Sequence, residues 1–406
     1  MNRIFRLKNP VKHYDWGSPQ WIPRILRVAN PEGLPWAELW MGVHPDGPSL
    51  TEYEGTLLPL SLLIAQDPAL YVGTAVQRAF GTLPFLFKLL AVDKPLSIQA
   101  HPNRDQAQKG WERENQLGIP LEAPYRNYKD PQHKPEIICA LSPFTALCGF
   151  QEPDQIVQGL TKFAQSAPEP LGRALNRLSQ TLQTGAADQR LRAFLQGLFA
   201  LPPALGLALS AYGKDHQQRL IREYPAYTEA WKLIAYFAEL HPGDPAVMAP
   251  LYLHRIALEP GEGIYLPAGV LHGYIRGFGV ELMANSDNVL RGGLSSKHVD
   301  VQELLHILDF SVFHPQILQA QDSGFRTQAQ EFSLWVREGF GDEVQYPESL
   351  PGILIVTQGT LHITLASGEG EWTLTQGESV FIPQGTPEDI RFSGTYTLYG
   401  AGPGSL

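Results

Sequence analysis

The sequence predicts a mainly β protein with a helical insertion: two small β-barrel or jelly-roll domains plus an α-helical domain. Three observations carry this. Turn formers are frequent, 38 Gly and 34 Pro in 406 residues, and short alternating or β-branched runs lie between them. One strand–turn–strand unit occurs twice. From Glu152 to about Glu239 the strand signals give way to an apolar period of 3.6 residues. A chain of this length exceeds one ordinary core. The expected limits are 1–151 and 249–324 for the two parts of the first β domain, 152–248 for the insertion and 325–406 for the second β domain.

In chain order, "LPFLFKLLAVDKP" reads as a buried strand that runs into "LSIQAHPNRDQ", Leu96 to Gln106. Strand alternation puts Gln99 and His101 on one face before the chain turns at Pro102–Asn103. "YKDPQHKPEIICAL" carries His133, Lys134 and Glu136 into the apolar "IICAL". In the insertion, "DQRLRAFLQGLF" and "TEAWKLIAYFAEL" each gather apolar residues on one face, and Asp154 is the expected N-cap after Pro153. The most apolar run, Ala193 to Gly213, contains Gln196 and the Pro202–Pro203 pair. It reads as buried helix and loop, not as a membrane span. "HPGDPAVMAP" is a turn-rich return to strands. In "LHRIALEPGEGIYLPAGVLHGYI" two runs flank a G-E turn and a P-x-G turn leads to a third; "LTQGESVFIPQGTPEDIRF" repeats the order. The expectation is a repeated β-hairpin unit.

Composition excludes several classes of function. Apolar residues make up 43% and charged residues 18%, which supports a large core. The net charge of −10, without a Lys/Arg run, argues against nucleic acid or anionic membrane as partner. An anionic ligand would need a local cationic pocket. Two cysteines, Cys139 and Cys148, exclude a disulfide framework and a Cys-based zinc module; reduced core thiols are expected. The opening "MNRIFRLKNPVKHYDWG" has no apolar leader core, so the expected location is cytoplasmic.

Two imidazoles, a carboxylate and an amide from "SIQAHPN", "HKPE" and "PAGVLHGYI" (Gln99, His101, Glu136 and His272) would make an N/O metal site suited to Zn²⁺, Mn²⁺, Fe²⁺ or Co²⁺. Singly, each also reads as an ordinary strand-end polar residue, and no H-E-x-x-H-type spacing ties them together. A fourth segment, "VELMANSDNVLRGGLSSKHVDV", sets Glu281 among apolar neighbours and then carries Arg291 and Lys297. Two fixed cations near a metal suit a phosphate or a developing oxyanion; the alternative is a solvated loop.

Together with "YDWG", "AELWMGVHP", "ALCGF" and "HPGDPAVMAPLYL", these segments resemble the type I mannose-6-phosphate isomerases, in the family's order and over most of residues 1–310. The resemblance implies a catalytic cupin domain, a helical domain and a second cupin-like domain. It implies one zinc per chain on Gln99, His101, Glu136 and His272. The implied reaction interconverts mannose 6-phosphate and fructose 6-phosphate by ring opening and proton transfer between C2 and C1 through a cis-enediol. Arg291 corresponds to the family's catalytic arginine. Candidate proton-transfer groups are Glu281, which desolvation would raise, Lys134, His133, suited to ring opening, and Asp287. Ser97 and Lys297 resemble phosphate-contacting positions, and Lys88 is a further candidate. The implied partner is a small sugar phosphate, with no nucleic acid or membrane, and the expected state is a monomer. The chain departs from the family at "HGY" for His-Ala-Tyr, at Leu282 for Cys, and at "SSK" for Thr-Pro-Lys, which removes a proline beside Lys297. The C-terminal domain offers only His362 in "TQGTLHITL" and is expected to be structural. Two other readings are a ferrous cupin oxygenase and a non-catalytic sugar-binding cupin. Gln99 and the Arg291/Lys297 pair argue against the first, and the intact ligand set with Lys134 and Arg291 argues against the second.

Overall fold

The computed structural model describes residues 4–322, 324–346, 351–365, 368, 370–386 and 390–405. Among them are two large antiparallel sheets, of eleven and nine strands, and a run of helices between Phe144–Phe150 and Leu253–Leu258 in the chain. Strand Phe85–Val92, buried at every position, is central to the first sheet. It pairs with Glu38–Gly42 on one side and His272–Ala284 on the other. An apolar run without alternation fits a strand covered on both faces. The first sheet draws strands from both sides of the helical segment, and Leu318–Gln319 extends its edge. In the second sheet, Phe5–Arg6 pairs with Val380–Phe381, so the start of the chain closes a sheet built otherwise from its end.

Each sheet hangs on one long strand, His272–Ala284 and Gly352–Leu365, and each of these breaks register near its middle. A glycine sits near each break. Gly277 has φ 141° and a Cβ there would lie 2.5 Å from the Phe144 ring; Gly359 has φ 81° and its Cβ would lie 2.0 Å from Thr395 O. Only glycine tolerates both the dihedral and the approach. The first half of His272–Ala284 pairs with Phe144–Phe150 and the second half with Phe85–Val92 and Glu136–Ala140.

The repeated unit is present, but its strands do not form the expected hairpins. Leu253–Leu258 pairs with Phe144–Phe150, whereas Glu262–Leu266 pairs with Glu136–Ala140. Likewise Glu371–Thr375 and Ser379–Ile382 each pair with Gly352–Leu365, at opposite ends of it. Alternation reveals a strand and a turn, but not whether the chain folds back on its neighbour or crosses to another part of the sheet. The last run of the second copy begins at Pro387–Asp389, which lie outside the described residues.

The helical segment contains six α-helices, from Pro153–Ser166 to Thr228–Leu240. The first begins two residues earlier than expected: Glu152, not Asp154, is the N-cap, and Pro153 and Asp154 both lie in the first turn. Proline's fixed φ suits that position and a carboxylate in the first turn complements the helix dipole. The apolar run 193–213 folds as helices Ala187–Phe199 and Pro203–Asp215, bent by 96°. Among the described residues no single helix is long and apolar enough to cross a membrane.

Three packing layers position the site. Leu160, Phe163, Phe194 and Trp231 of the helices share a core with Ile98, Leu271 and Leu290, each next to a candidate site residue. Phe87, Leu89 and Val280 of the first sheet pack with Phe332, Ile353 and Tyr399 of the second. Leu354, Leu361, Leu374 and Phe392 fill the second sheet's own interior. Both cysteines are free and buried; burial pushes the Cys139 thiol up to about 12.

Candidate metal centre and cleft

Gln99 sits directly opposite His272 on one side and Arg291 on the other, because the two-residue strand Gln99–Ala100 lies between theirs. His101 follows at the strand's end. Glu136 opens strand Glu136–Ala140, opposite Leu266 and Met283. Curling of the sheet brings these segments around one space. Glu136 Oε2 lies 3.4 Å from His101 Nε2 and 3.4 Å from His272 Nε2, and all three side chains are buried.

The tautomers follow from the other ring nitrogens. His101 Nδ1 donates to the Asn288 carbonyl at 2.7 Å and His272 Nδ1 donates to the Val270 carbonyl at 2.9 Å. A carbonyl only accepts, so in the neutral rings the proton sits on Nδ1 and the Nε2 lone pair is bare. Burial pushes His101 down to about 4. His101 Nε2, His272 Nε2 and Glu136 Oε2 are then three buried acceptors facing one another without a hydrogen-bond partner. Buried acceptors left unpaired are costly. A cation between them removes the cost, and imidazole with carboxylate suits zinc. These residues therefore fit a metal, with Gln99 beside them as an amide donor.

Lys134 Nζ binds the other oxygen, Glu136 Oε1, at 3.0 Å. Burial alone would raise Glu136, but Lys134 and then His101 outweigh it and hold the carboxyl well below its ordinary range. Farther along the first sheet, Lys88 is buried between Glu281 Oε2 at 3.1 Å and Glu38 Oε1 at 3.4 Å, while Trp40 Nε1 donates to Glu38 Oε2 at 2.7 Å. Burial works against the Lys88 charge, yet the two carboxylates raise its pKa overall. Burial raises Glu281.

Ser97, Gln99, Arg291 and Lys297 line one cavity of about 380 Å³, joined by Lys94 and, from the end of helix Thr228–Leu240, His241. Lys88 is not among the lining residues. Burial lowers Arg291, and burial together with Arg291 lowers Lys297: a half-buried cation and an exposed one stand near each other, in a cavity that Asp15 also lines. Where the family has a proline, the Ser295 hydroxyl accepts the Lys297 N–H at 3.0 Å, a side-chain turn that supplies local rigidity by another route. Asp244 accepts the Leu294 N–H at 2.6 Å. Gly293, φ 103°, permits this approach, since a Cβ would lie 2.3 Å from Ala246.

Of the remaining candidates, Asp287 Oδ2 meets His44 Nε2 at 3.2 Å. His44 Nδ1 accepts the Asp46 N–H at 3.2 Å, so Nε2 carries the proton that Asp287 receives. Burial opposes the Asp287 charge, but the His44 bond lowers its pKa overall. His133 turns away from these groups: its Nε2 donates to Glu331 Oε1 at 2.7 Å, beside Arg104. Sequence reasoning missed His44, Glu38, Glu331, Lys94 and Asn288. Asn288 is the hub of "NSDN": besides its carbonyl on His101, its amide donates to the Asp130 and Gln132 carbonyls at 2.7 and 2.8 Å. His44 and Glu38 stood in view in "AELWMGVHP"; the others carry only the signal of a polar residue in a turn.

A family model of the type I phosphomannose isomerase catalytic domain matches residues 4–153. The mannose-6-phosphate isomerase of Escherichia coli K12 is 34% identical over 93% of this chain and 94% of its own length. That of Salmonella typhimurium LT2 is 34% identical over 97% and 98%. A crystal structure of a zinc-bound mannose 6-phosphate isomerase superposes with a TM-score of 0.87 at 32% identity, covering 99% of this chain and all of the other.

Proposed function

Because the chain belongs to the type I mannose-6-phosphate isomerase family, we propose that it interconverts D-mannose 6-phosphate and D-fructose 6-phosphate with one Zn²⁺ per chain on Gln99, His101, Glu136 and His272. The observation that carries this is the set of three buried acceptors with both imidazole protons turned outward. Zinc held by these residues would supply Lewis-acid polarisation of the substrate.

The protein's own groups do the rest. Lys297, Ser97 and Lys94 receive the phosphate at the mouth of the cleft. Arg291, whose backbone is paired to Gln99, stabilises the charge that develops on the enediol oxygens. The Asp287–His44 pair gives and takes the proton in ring opening. Glu281, raised by burial and held by Lys88, moves the proton between C2 and C1 through the cis-enediol, and Lys134 orients Glu136. Lys88 serves Glu281 rather than the phosphate. His133 acts on the structure of the ligand loop. In this reading the two β domains are cupin-like barrels with the limits given above, and the chain works in the cytoplasm as a monomer on a free sugar phosphate. A coupled assay for fructose 6-phosphate formation, with metal content measured on the same sample, tests it. Isomerase activity that tracks zinc is expected; zinc-replete protein without activity on mannose 6-phosphate would overturn it.

A further inference from the structure

One carboxylate of the C-terminal domain reaches the two segments that carry His101 and Glu136. Glu331 is 5% exposed. Its Oε1 accepts from Arg104 Nη2 at 2.6 Å and from His133 Nε2 at 2.7 Å. Arg104 stands three residues after His101, and His133 stands three residues before Glu136. Both links are stiff. Pro102 lies between His101 and Arg104, and Pro135 between His133 and Glu136, each fixing φ. Arg104 also opens a helix closed by a capping box between Asn103 and Gln106. On the other side, Phe332 and Leu334 anchor Glu331 in the apolar core shared by both sheets. An exposed ion pair contributes little, and Arg104 is 57% exposed; the carboxylate, however, is buried, and it joins the helix that follows His101 to the loop that precedes Glu136.

We infer that Glu331 is a positioning residue for the metal centre: the C-terminal domain braces the His101 and Glu136 segments against each other through Arg104 and His133. The inference rests on the metal site proposed above. It gives the second β domain a function, to hold the spacing of a site to which, among its described residues, it contributes no donor atom. Groups bonded directly to metal ligands commonly affect metal affinity or activity by roughly 10–100-fold; Glu331 acts one step farther out, which places it at the lower end.

The test uses the full chain carrying Glu331→Gln, which keeps the side chain's shape and removes its charge, alongside Glu331→Ala. Zinc affinity is read by chelator competition, and the ligand field by the visible d–d bands of the Co²⁺-substituted protein. We expect about tenfold weaker zinc binding and shifted cobalt bands in both variants. Leu361→Ala, in the interior of the same β domain, controls for general destabilisation and should leave both readouts at wild-type values. Unchanged zinc affinity and cobalt bands in both Glu331 variants, or an equal loss of affinity in Leu361→Ala, would overturn the inference. Wild-type protein that binds zinc but lacks isomerase activity, with Glu331→Gln still binding it more weakly, would sink the proposed reaction and support the brace.

Discussion

Strand His272–Ala284 in the first sheet and strand Gly352–Leu365 in the second have the same mechanics. Each is the longest strand of its sheet, breaks register near a glycine of positive φ, and shares its two halves among different partners. What they surround differs. The first borders Glu136, His101, Lys134, Lys88 and Glu281, all buried. The second encloses Leu354, Leu361, Leu374, Val380 and Phe392. Among the described residues, the two groups of convergent metal-type ligands, His101/Glu136/His272 and His44/Asp46/Asp287, lie outside the second sheet. One architecture therefore supports two interiors: an apolar one that stabilises by burial, and a charged one kept charged by pairing and by acceptors held for a cation. Function resides in the filling, and the shared frame says little about it.

Substitutions that move one interior toward the other should separate these roles. The largest effect is expected for His272→Ala, which should take both metal content and turnover to background; full zinc occupancy in elemental analysis would contradict the ligand assignment. Arg291→Ala should keep its zinc and lose turnover by roughly 10²–10³-fold, so steady-state kinetics beside metal analysis distinguishes it from a ligand. In the second interior, Leu361→Ala should cost about 2–5 kcal/mol of stability in denaturant unfolding while turnover at 25 °C stays unchanged; a matching loss of turnover would mean that the interiors are not separable in this way.

The smallest effect concerns pH. Burial would raise Glu331, but the His133 hydrogen bond and the charges of His133 and Arg104 lower it overall; Tyr265 also faces it. A depressed carboxyl stabilises the fold above its unfolded pKa, about 4.3, and loses that contribution as pH falls through the folded value. The gap in denaturation midpoint between wild type and Glu331→Gln should therefore be full at pH 7 and close below about pH 4. A gap that persists in acid would mean that the ion pair is not its source.

Much of the first interior was legible in the sequence, because its signals are local. His101, Glu136 and His272, read as polar residues at strand ends, do converge, and the apolar neighbours of Glu281 implied its burial. The His133 side chain was not legible: the carboxylate it binds lies 198 residues away. Lys88 stood as a further phosphate candidate; that its anions are Glu38 and Glu281 depends on strand register, which residue type alone does not set. The same limit turned two strand crossings into expected hairpins. Asn288 had the composition of a turn residue, and its work on His101 is done by its backbone carbonyl, which any residue possesses.

The central claim is that three buried acceptors are arranged for one cation on which the isomerase depends. Metal content and mannose 6-phosphate isomerase activity, followed together through chelation and zinc restoration, test it most directly. The expected course is one zinc per chain at the start, loss of activity in step with loss of metal, and recovery on adding zinc back. Full activity in protein stripped of metal would contradict it.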